Sequence, residues 1–429
     1  MNPQANTLNE LIRKQHPGIL DMLSEKGKNI FFPKLGILSQ SAQAKGKKIN
    51  ASIGEAVEDD GTSMHLPAFD TLINLPVNSV FPYAPSSGKK DLRDTWKSFL
   101  IRKNPSLQNL TIGLPVATNG VTHGISMAGY MFADQGDTVV LSDLYWENYS
   151  LILENGYGTH IKTFELFNNS GFNLSSFSEA LSSVKQEKII LLLNFPNNPA
   201  GYTPLADEID PIVNEIHRLA IAGKKMVVLI DDAYFGLVYE DNVFKESIFT
   251  RIAGLHENVL AVKLDGPTKE DYVWGFRVGF ITYGIKGGTP ELYEALENKT
   301  AGAIRGNISN ISHLAQSLLK TVYSQEGYEA AKKQKYDILK KRYTLLKETI
   351  SREQYAGYLD PLPFNSGYFM CLKLRKGIDT EQVRLHLLEK YSTGVIVFGH
   401  VIRLAFSSVP LSKIPELVDN LYRACVDLV

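Results

Sequence analysis

Three polar strings follow short apolar runs, and their residue types could do chemistry together. In chain order they are NFPNNPAG from Asn194 to Gly201, DDAY from Asp231 to Tyr234, and TKEDYVWGFRVG from Thr268 to Gly279. Between them they supply an amine that could attack a carbonyl group, a carboxylate that could hold a proton, and a guanidinium that could bind an anion. Such a set needs elements that bring the three strings to one place.

The apolar runs before these strings predict a parallel β-sheet. They are Val139 to Leu141, Ile189 to Leu193, Met226 to Ile230 and Val259 to Leu264. Continuous apolarity at this length is typical of strands that are covered on both faces. A stretch with helical spacing, Ala206 to Ala222, separates two of the runs, and this alternation predicts an α/β fold. Ligands of such sheets bind beyond the carboxyl ends of the strands, where the polar strings lie.

The composition and the pattern of predicted elements change after about residue 325. A Lys-rich helical stretch runs from Tyr328 to Ile350, and Gly367 to Leu374 and Val401 to Phe406 are predicted to be strands with alternating burial. We expect a second, smaller α+β domain there. The first fifty residues indicate no more than an N-terminal helix or arm.

Composition and charge exclude several classes of protein. The 429 residues carry a net charge of -1 with no run of like charges, which makes nucleic acid an improbable partner. Cys371 and Cys425 lie far apart, so neither a disulfide framework nor a zinc site is expected, and the nine histidines show no metal-binding spacing. No stretch approaches the roughly 18 apolar residues of a membrane span, and no signal peptide is apparent. We expect a cytoplasmic protein of two or three domains without a metal.

The order and spacing of the three strings resemble the class I/II aminotransferases, pyridoxal-phosphate enzymes of fold type I, and come nearest to the aspartate and aromatic aminotransferase branch. The resemblance covers roughly residues 50 to 410. It implies a three-layer α/β/α domain with a mostly parallel sheet, a smaller α+β domain, and a homodimer with shared active sites. The expected division is 1–54 for an N-terminal arm and part of the small domain, 55–320 for the large cofactor-binding domain, and 321–429 for the small C-terminal domain.

The resemblance implies pyridoxal 5′-phosphate as the cofactor, held on Lys269 as a Schiff base. Arg277 follows eight residues later, which is the family's spacing from lysine to arginine. Lys263 lies inside an apolar strand and lacks that spacing. Asp231 would pair with the pyridinium nitrogen and keep it protonated, whereas Asp232 is expected to be a bystander.

Two further side chains are expected around the cofactor ring. Asn198 and Tyr234 resemble the pair that binds the ring's phenolic oxygen, although Asn198 taken alone would be an ordinary turn residue. Trp146 aligns with the ring that stacks on the cofactor, the competing interpretation being a core residue. Tyr145 and Tyr149 are the alternatives if this alignment is shifted by a turn.

The cofactor's phosphate is expected at the start of a helix. Gly120, Val121 and Thr122 open an apolar stretch there and would supply free N–H groups and a hydroxyl. Arg277 would add a bidentate cation. Gly266 occupies the position where many members carry a phosphate-binding serine, and Thr268 is expected to compensate.

Substrate recognition would use residues from more distant parts of the chain. Arg403, inside an apolar strand, would be costly to bury without a partner, and the resemblance makes that partner the substrate α-carboxylate. Gly54 and Asn198 would meet the same substrate. Leu144 stands where proline is usual and Glu147 follows the stacking ring, so an unusual substrate preference is expected.

Three residues are expected to act across the dimer. The string AIRGNISN, from Ala303 to Asn310, resembles the segment in which Arg305 binds a distal carboxylate, the alternative being an arginine on a helix surface. Ser309 and Tyr83 would lie near the phosphate of the neighbouring subunit.

The predicted function is transfer of an amino group between an L-amino acid, aspartate or an aromatic one being favoured, and 2-oxoglutarate, by a ping-pong cycle through Lys269. A lyase or synthase on the same scaffold is the main alternative, because Lys269, Asp231 and Arg277 would serve it equally. A non-catalytic cofactor-binding regulator is the distant one, since the first fifty residues are too short and too weakly basic for a helix-turn-helix.

Overall fold

A computed structural model describes residues 2–15, 17–32, 36–70, 75–168 and 171–429. The α-helices are α1 Pro3–Gln15, α2 Pro17–Met22, α3 Glu25–Asn29, α4 Ile37–Ala44, α5 Lys90–Lys103, α6 Gly120–Phe132, α7 Leu174–Ser182, α8 Ile209–Ile221, α9 Phe249–Ile252, α10 Pro267–Glu270, α11 Pro290–Asn307, α12 His313–Val322, α13 Tyr328–Ile350, α14 Thr380–Lys390 and α15 Ile414–Asp427. The strands are β1 Ile49–Asn50, β2 Val116–Thr118, β3 Thr138–Ser142, β4 His160–Phe164, β5 Phe167–Asn168, β6 Gly171–Phe172, β7 Lys188–Asn194, β8 Lys225–Asp231, β9 Val259–Asp265, β10 Gly279–Gly284, β11 Leu359–Pro361, β12 Phe369–Leu374, β13 Thr393–Gly394, β14 Ile396–Phe398 and β15 Val401–Ala405.

A seven-stranded sheet forms the centre of the molecule, in the order β2-β10-β9-β8-β7-β3-β4. Strands β9, β8, β7, β3 and β4 pair in parallel, and β10 runs antiparallel to both of its neighbours. The register places Asn194 at the end of β7 opposite Asp231 at the end of β8. The mostly parallel α/β sheet predicted from the apolar runs is therefore confirmed, and the polar strings begin at its carboxyl edge.

Both faces of this sheet are buried, as the continuous apolar runs predict. On β8, Val227 and Leu229 belong to the core on one face, while Val228 and Ile230 belong to the core on the other. Helix α6 packs on the first face, and α7, α8 and α9 cover the second. The result is a three-layer α/β/α arrangement.

A second, antiparallel sheet has the order β11-β12-β15-β14. The expected alternation of burial along β12 and β15 is wrong: Phe369 to Leu372 and all of β15 are buried without interruption. The reason is that this sheet is also covered on both sides. Phe369 packs edge-on against Tyr234 from the central part, with ring centroids 5.6 Å apart, and α14 packs on β14.

No helix in the described part of the chain is long and apolar enough to cross a membrane.

The N-terminal segment packs on this C-terminal sheet. Strand β1 pairs in parallel with β13, and the side-chain amide of Gln40 in α4 exchanges two hydrogen bonds with the backbone of Val397. These contacts support a small domain built from both ends of the chain. The division at residues 54 and 320 stays a prediction, and the end of α12 at Val322 would place the second boundary just beyond that residue.

Gly201 joins the two sheets. It has a φ of 72°, and its carbonyl accepts hydrogen bonds from the backbone N–H groups of Asn365 (2.9 Å) and Ser366 (3.0 Å). A Cβ atom at this position would lie 1.8 Å from the carbonyl oxygen of Phe369. The absence of a side chain therefore allows the loop after β7 to pack directly against β12.

Replacing Gly201 with alanine is expected to destabilise the protein more than the same change at Gly223. Both glycines have positive φ, where a side chain costs roughly 1–2 kcal/mol, but an added Cβ at Gly223 meets nothing within 4 Å. The collision at Gly201 should add on the order of 1–3 kcal/mol. Urea unfolding of Gly201→Ala and Gly223→Ala measures the difference, and equal losses would show that this contact does not hold the sheets together.

Candidate active site

A cavity of about 680 Å³ lies where the carboxyl ends of the central strands face the second sheet. Its lining includes eleven residues that the sequence singles out: Gly54, Val121, Thr122, Trp146, Asn198, Asp231, Tyr234, Thr268, Lys269, Arg277 and Arg403. Gly120 lies directly behind them, next to the guanidinium of Arg277. Residues that are as much as 349 positions apart in the chain thus meet around one space.

Asp231, at the end of β8, is a buried carboxylate with directed hydrogen bonds. It is 3% exposed, and it accepts hydrogen bonds from the Tyr149 hydroxyl (2.6 Å) and the Ala233 backbone N–H (3.0 Å). Burial raises the pKa of Asp231, and these bonds and the charge of Lys269 offset part of that effect. A cationic ligand group beside Asp231 would stabilise its ionised form.

Tyr149 is a site residue that sequence reasoning missed. The tyrosine was considered only as an alternative to Trp146, whereas in the structure both line the cavity. Their rings meet edge-on, with centroids 5.6 Å apart. The spacing of three residues was the available signal, because it brings two side chains to one side of a helical turn.

The two charged residues that the sequence analysis sets aside, Asp232 and Lys263, belong to a separate buried cluster. Asp232 and Lys263 pair with each other, and the Lys263 ammonium also lies 3.3 Å from Asp265. Trp96 donates a hydrogen bond to Asp265 through Nε1 at 3.0 Å. Lys263 is 1% exposed and does not line the cavity. Adjacent aspartates thus face opposite ways: Asp231 towards the cavity and Asp232 towards Lys263.

Lys269, in the short helix α10, places its ammonium 5.2 Å from the centre of the Tyr234 ring. Burial lowers the pKa of Lys269 to about 8; Asp231 and Glu55 act against this shift, and Arg277 adds to it. The Lys269 carbonyl accepts a hydrogen bond from the Tyr368 hydroxyl at 2.8 Å. The site therefore holds an amine of which a large fraction is neutral, and nucleophilic, near pH 8.

The start of α6 and Arg277 together form an anion cradle. A Cβ atom at Gly120 would lie 2.5 Å from Nη2 of Arg277, so the bare glycine lets the guanidinium approach the helix end. Arg277 itself has a φ of 54° and donates a hydrogen bond to the Trp274 carbonyl at 3.2 Å. Free N–H groups at a helix N-terminus beside a fixed guanidinium suit a phosphate group. The hydroxyl-bearing residues Thr122 and Thr268 line the same end of the cavity.

The structure explains why Gly266 replaces the usual serine. A Cβ atom at Gly266 would lie 2.8 Å from the Cα of Gly279 and 2.9 Å from the carbonyl oxygen of Val278. The backbone at the start of β10 thus leaves no room for a side chain. Thr268, which is 4% exposed and lines the cavity, is the nearby residue that offers a hydroxyl.

Arg403 brings a buried cation from the second sheet. It is 3% exposed, and its guanidinium donates hydrogen bonds to the Ser52 carbonyl (2.9 Å) and the Asn198 side-chain oxygen (3.3 Å). It also lies 4.3 Å from the centre of the Phe369 ring. Its Nε atom has no hydrogen-bond partner among the described residues. A buried cation with unused donor capacity suits an anionic ligand.

Tyr83, Arg305 and Ser309 do not line the cavity of their own chain. Tyr83 is 89% exposed, and Arg305 lies on the exposed face of α11. Ser309 is exposed, and its carbonyl accepts a hydrogen bond from the Ser86 hydroxyl at 2.8 Å. The proposed action of these residues across a dimer stays a prediction.

Residues 48–421 match the family described as aminotransferase class I and II. The match covers most of the chain, and the chain belongs to this family. Because its members depend on pyridoxal phosphate, the cofactor is pyridoxal 5′-phosphate. The anion cradle, the buried carboxylate and the lysine fit this cofactor's phosphate, ring nitrogen and aldehyde.

Individual relatives are distant in sequence and close in fold. Tyrosine aminotransferase of Bos taurus is 23% identical over 199 residues, a match that spans 46% of this chain and only 41% of that protein. Aspartate aminotransferase of Pyrococcus horikoshii is 21% identical over 349 residues, 80% of this chain and 82% of the relative. An aminotransferase of Anaerococcus prevotii superposes with a TM-score of 0.83 at 26% identity, over 94% of this chain and 98% of the other. The cytoplasmic aspartate aminotransferase of Saccharomyces cerevisiae superposes with a TM-score of 0.77 at 18% identity, over 94% of this chain and 98% of the other.

Replacing Tyr149 with phenylalanine is expected to weaken cofactor binding. A hydrogen bond to a buried carboxylate is worth roughly 1.5–3 kcal/mol, and its loss raises the pKa of Asp231 further, so affinity should fall about 10- to 100-fold. Titration of the cofactor-free protein with pyridoxal phosphate measures this. Tyr283→Phe is the matched control, because Tyr283 is also buried and its hydroxyl lies 2.6 Å from a neutral partner, Thr300. An unchanged affinity in Tyr149→Phe would contradict a role for Tyr149 beside Asp231.

Proposed function

We propose that this protein is a pyridoxal-phosphate-dependent aminotransferase that moves an amino group between an L-amino acid and 2-oxoglutarate in a ping-pong cycle. The observation that carries the proposal is the convergence of Lys269, Asp231, Arg277 and Arg403 on one cavity. Each supplies one requirement of the reaction: an amine, a partner for a protonated ring nitrogen, a phosphate-binding cation and a carboxylate-binding cation. Aspartate and aromatic amino acids are the donors that the resemblance favours.

The cofactor would be held by groups that already point into the cavity. Gly120, Val121 and Thr122 would bind the phosphate together with Arg277 and Thr268. Asp231 would bind the ring nitrogen, and its burial makes that ion pair strong. Trp146 would cover the ring face, and Asn198 and Tyr234 would bind the phenolic oxygen.

When bound, pyridoxal phosphate supplies an electron sink for the pair of electrons left on the substrate α-carbon as its proton departs. Arg403, with Asn198 and the backbone of Gly54, would bind the substrate's α-carboxylate and so orient the α-hydrogen. The Lys269 amine, which would hold the cofactor before substrate arrives, would then accept the α-proton and pass it to the cofactor carbon that carries the aldehyde. Tyr368 would restrict the lysine by its hydrogen bond to the Lys269 carbonyl.

The proposal includes a homodimer in the cytoplasm. Tyr83 and Ser309 would reach the phosphate of the neighbouring subunit, and Arg305 would bind the distal carboxylate of a dicarboxylic substrate there. Their exposure in the single chain supports this assignment, since residues that complete a second subunit's site must reach the surface of their own.

The direct test is the transfer of amino groups to 2-oxoglutarate, with glutamate as the measured product. Arg305→Ala should lower kcat/KM for dicarboxylic substrates about 10- to 100-fold, the loss expected for one charged hydrogen-bond partner, and leave aromatic substrates largely unaffected. Arg352→Ala, at another exposed arginine, serves as the control. Elimination without any amino transfer would instead identify a lyase, and equal losses for both substrate classes would remove Arg305 from dicarboxylate recognition.

The pH dependence of cofactor capture tests Lys269. Only the neutral amine attacks an aldehyde, and the pKa of Lys269 is lowered to about 8, so the capture rate should rise from pH 6 to 9 with a midpoint near 8. The visible absorption band of the bound cofactor reports the reaction. Lys269→Ala should develop no such band. A midpoint near the usual lysine value of 10.5 would contradict the burial argument.

A further inference from the structure

A second cavity, of about 690 Å³, adjoins the active site. The two cavities meet at Asn148, which lines both, and the other residues of the segment from Tyr145 to Tyr149 are divided between them. Trp146 and Tyr149 line the active site, whereas Tyr145 and Glu147 line the second cavity. The segment from Tyr145 to Tyr149 therefore presents different side chains to the active site and to the second cavity.

The lining of the second cavity is polar and acidic. It contains the carboxylates of Glu147 and Glu154, and among the described residues that line it there is neither a lysine nor an arginine. Thr159 lines it as well; this residue is 3% exposed, and its hydroxyl has no hydrogen-bond partner within the described ranges. A buried hydroxyl without a partner, in a lining that also carries two carboxylates, favours a polar, positively charged ligand.

Glu147 lies close enough to Arg403 for each charge to alter the pKa of the other. Glu147 is an exposed residue, but partial desolvation of its carboxyl group raises its pKa by more than the charge of Arg403 lowers it. The bare Cα of Gly36 packs on this carboxylate, and a Cβ there would lie 3.3 Å from it. Arg403 and Glu147 thus offer a cation and an anion within reach of one amino-acid ligand.

We propose that the amino donor is an L-amino acid with a cationic side chain, in place of the aspartate or aromatic donor that the family resemblance favours. This side chain extends from the active site into the second cavity and pairs with Glu147. This inference rests on the proposed aminotransferase function and on the assignment of Arg403 to the α-carboxylate. The side chain's ammonium or guanidinium group gains a carboxylate partner in Glu147, and Asn148 and Thr159 supply further acceptors. A dicarboxylic acceptor would use Arg305 instead, so that the two half-reactions depend on opposite charges.

The first test compares lysine with norleucine, which has the same carbon chain without the ammonium group. The cofactor-loaded protein is mixed with each amino acid, and loss of the cofactor's visible band gives kcat/KM for the half-reaction. Lysine should react at least about tenfold faster than norleucine, the ratio that 1.4 kcal/mol of binding provides. Glu147→Gln should abolish this preference, and Glu147→Lys should reverse it in favour of aspartate. Glu165→Gln, at an exposed glutamate outside both cavities, should retain it.

The second test measures binding without turnover. 6-Aminohexanoate and hexanoate each carry a carboxylate for Arg403, but neither has an α-amino group to transfer. Calorimetry should show tighter binding of 6-aminohexanoate to the unaltered protein and equal binding of both to Glu147→Gln.

Two outcomes would overturn the inference: norleucine reacting as fast as lysine, or a lysine preference that persists in Glu147→Gln. Failure of the proposed function is a different result, in which no amino acid, aspartate included, discharges the cofactor. The calorimetric comparison would still decide whether Glu147 binds a cation in that case.

Discussion

The burial of Asp231 at the carboxyl end of β8 is the constraint on which the site depends. A carboxylate that is 3% exposed carries a large desolvation cost, which two directed hydrogen bonds offset only in part. The carboxylate of the next residue, Asp232, faces away from the cavity and forms its own ion pair with Lys263. The chain thus keeps one buried acid paired and leaves its neighbour with unused capacity for a cation. In the proposed function, a protonated ring nitrogen would supply the charge that this carboxylate lacks.

Arg403, from the second sheet, is positioned by contacts with the turn that follows β7. The turn after β7 presents the Asn198 side chain to Arg403, and three residues later Gly201 packs against the backbone of β12. The residue before β12, Tyr368, donates a hydrogen bond to the carbonyl of Lys269. The contact between the sheets therefore sets the position of Arg403 relative to Lys269.

Much of the fold and part of the site were predictable from the sequence, because apolar runs and motif spacing are local signals. The four predicted runs lie within β3, β7, β8 and β9, and the Lys-rich stretch from Tyr328 to Ile350 matches α13 residue for residue. The alternation expected for β12 and β15 was wrong, since a pattern within one strand does not show what covers its second face. Tyr149 and Gly266 were missed or unexplained for a related reason. The spacing from Trp146 to Tyr149 indicates only that both can lie on one side of a turn. The hydrogen bond from Tyr149 to Asp231 and the approach of the β10 backbone to Gly266 are long-range contacts that a local spacing does not show.

Different side chains of the segment from Tyr145 to Tyr149 line the active site and the second cavity. Trp146 and Tyr149 line the active-site cavity, whereas Glu147 lines the second cavity. Under the proposed function, replacing Trp146 or Tyr149 would affect every substrate, and replacing Glu147 would affect only ligands that reach the second cavity. Neighbouring side chains of a turn point in different directions, so a change at Glu147 can alter charge preference while the stacking ring and the partner of Asp231 stay in place. Glu147, where this chain departs from the family pattern, lies where the proposed substrate side chain would end, and the proposed cofactor-binding groups line the other cavity.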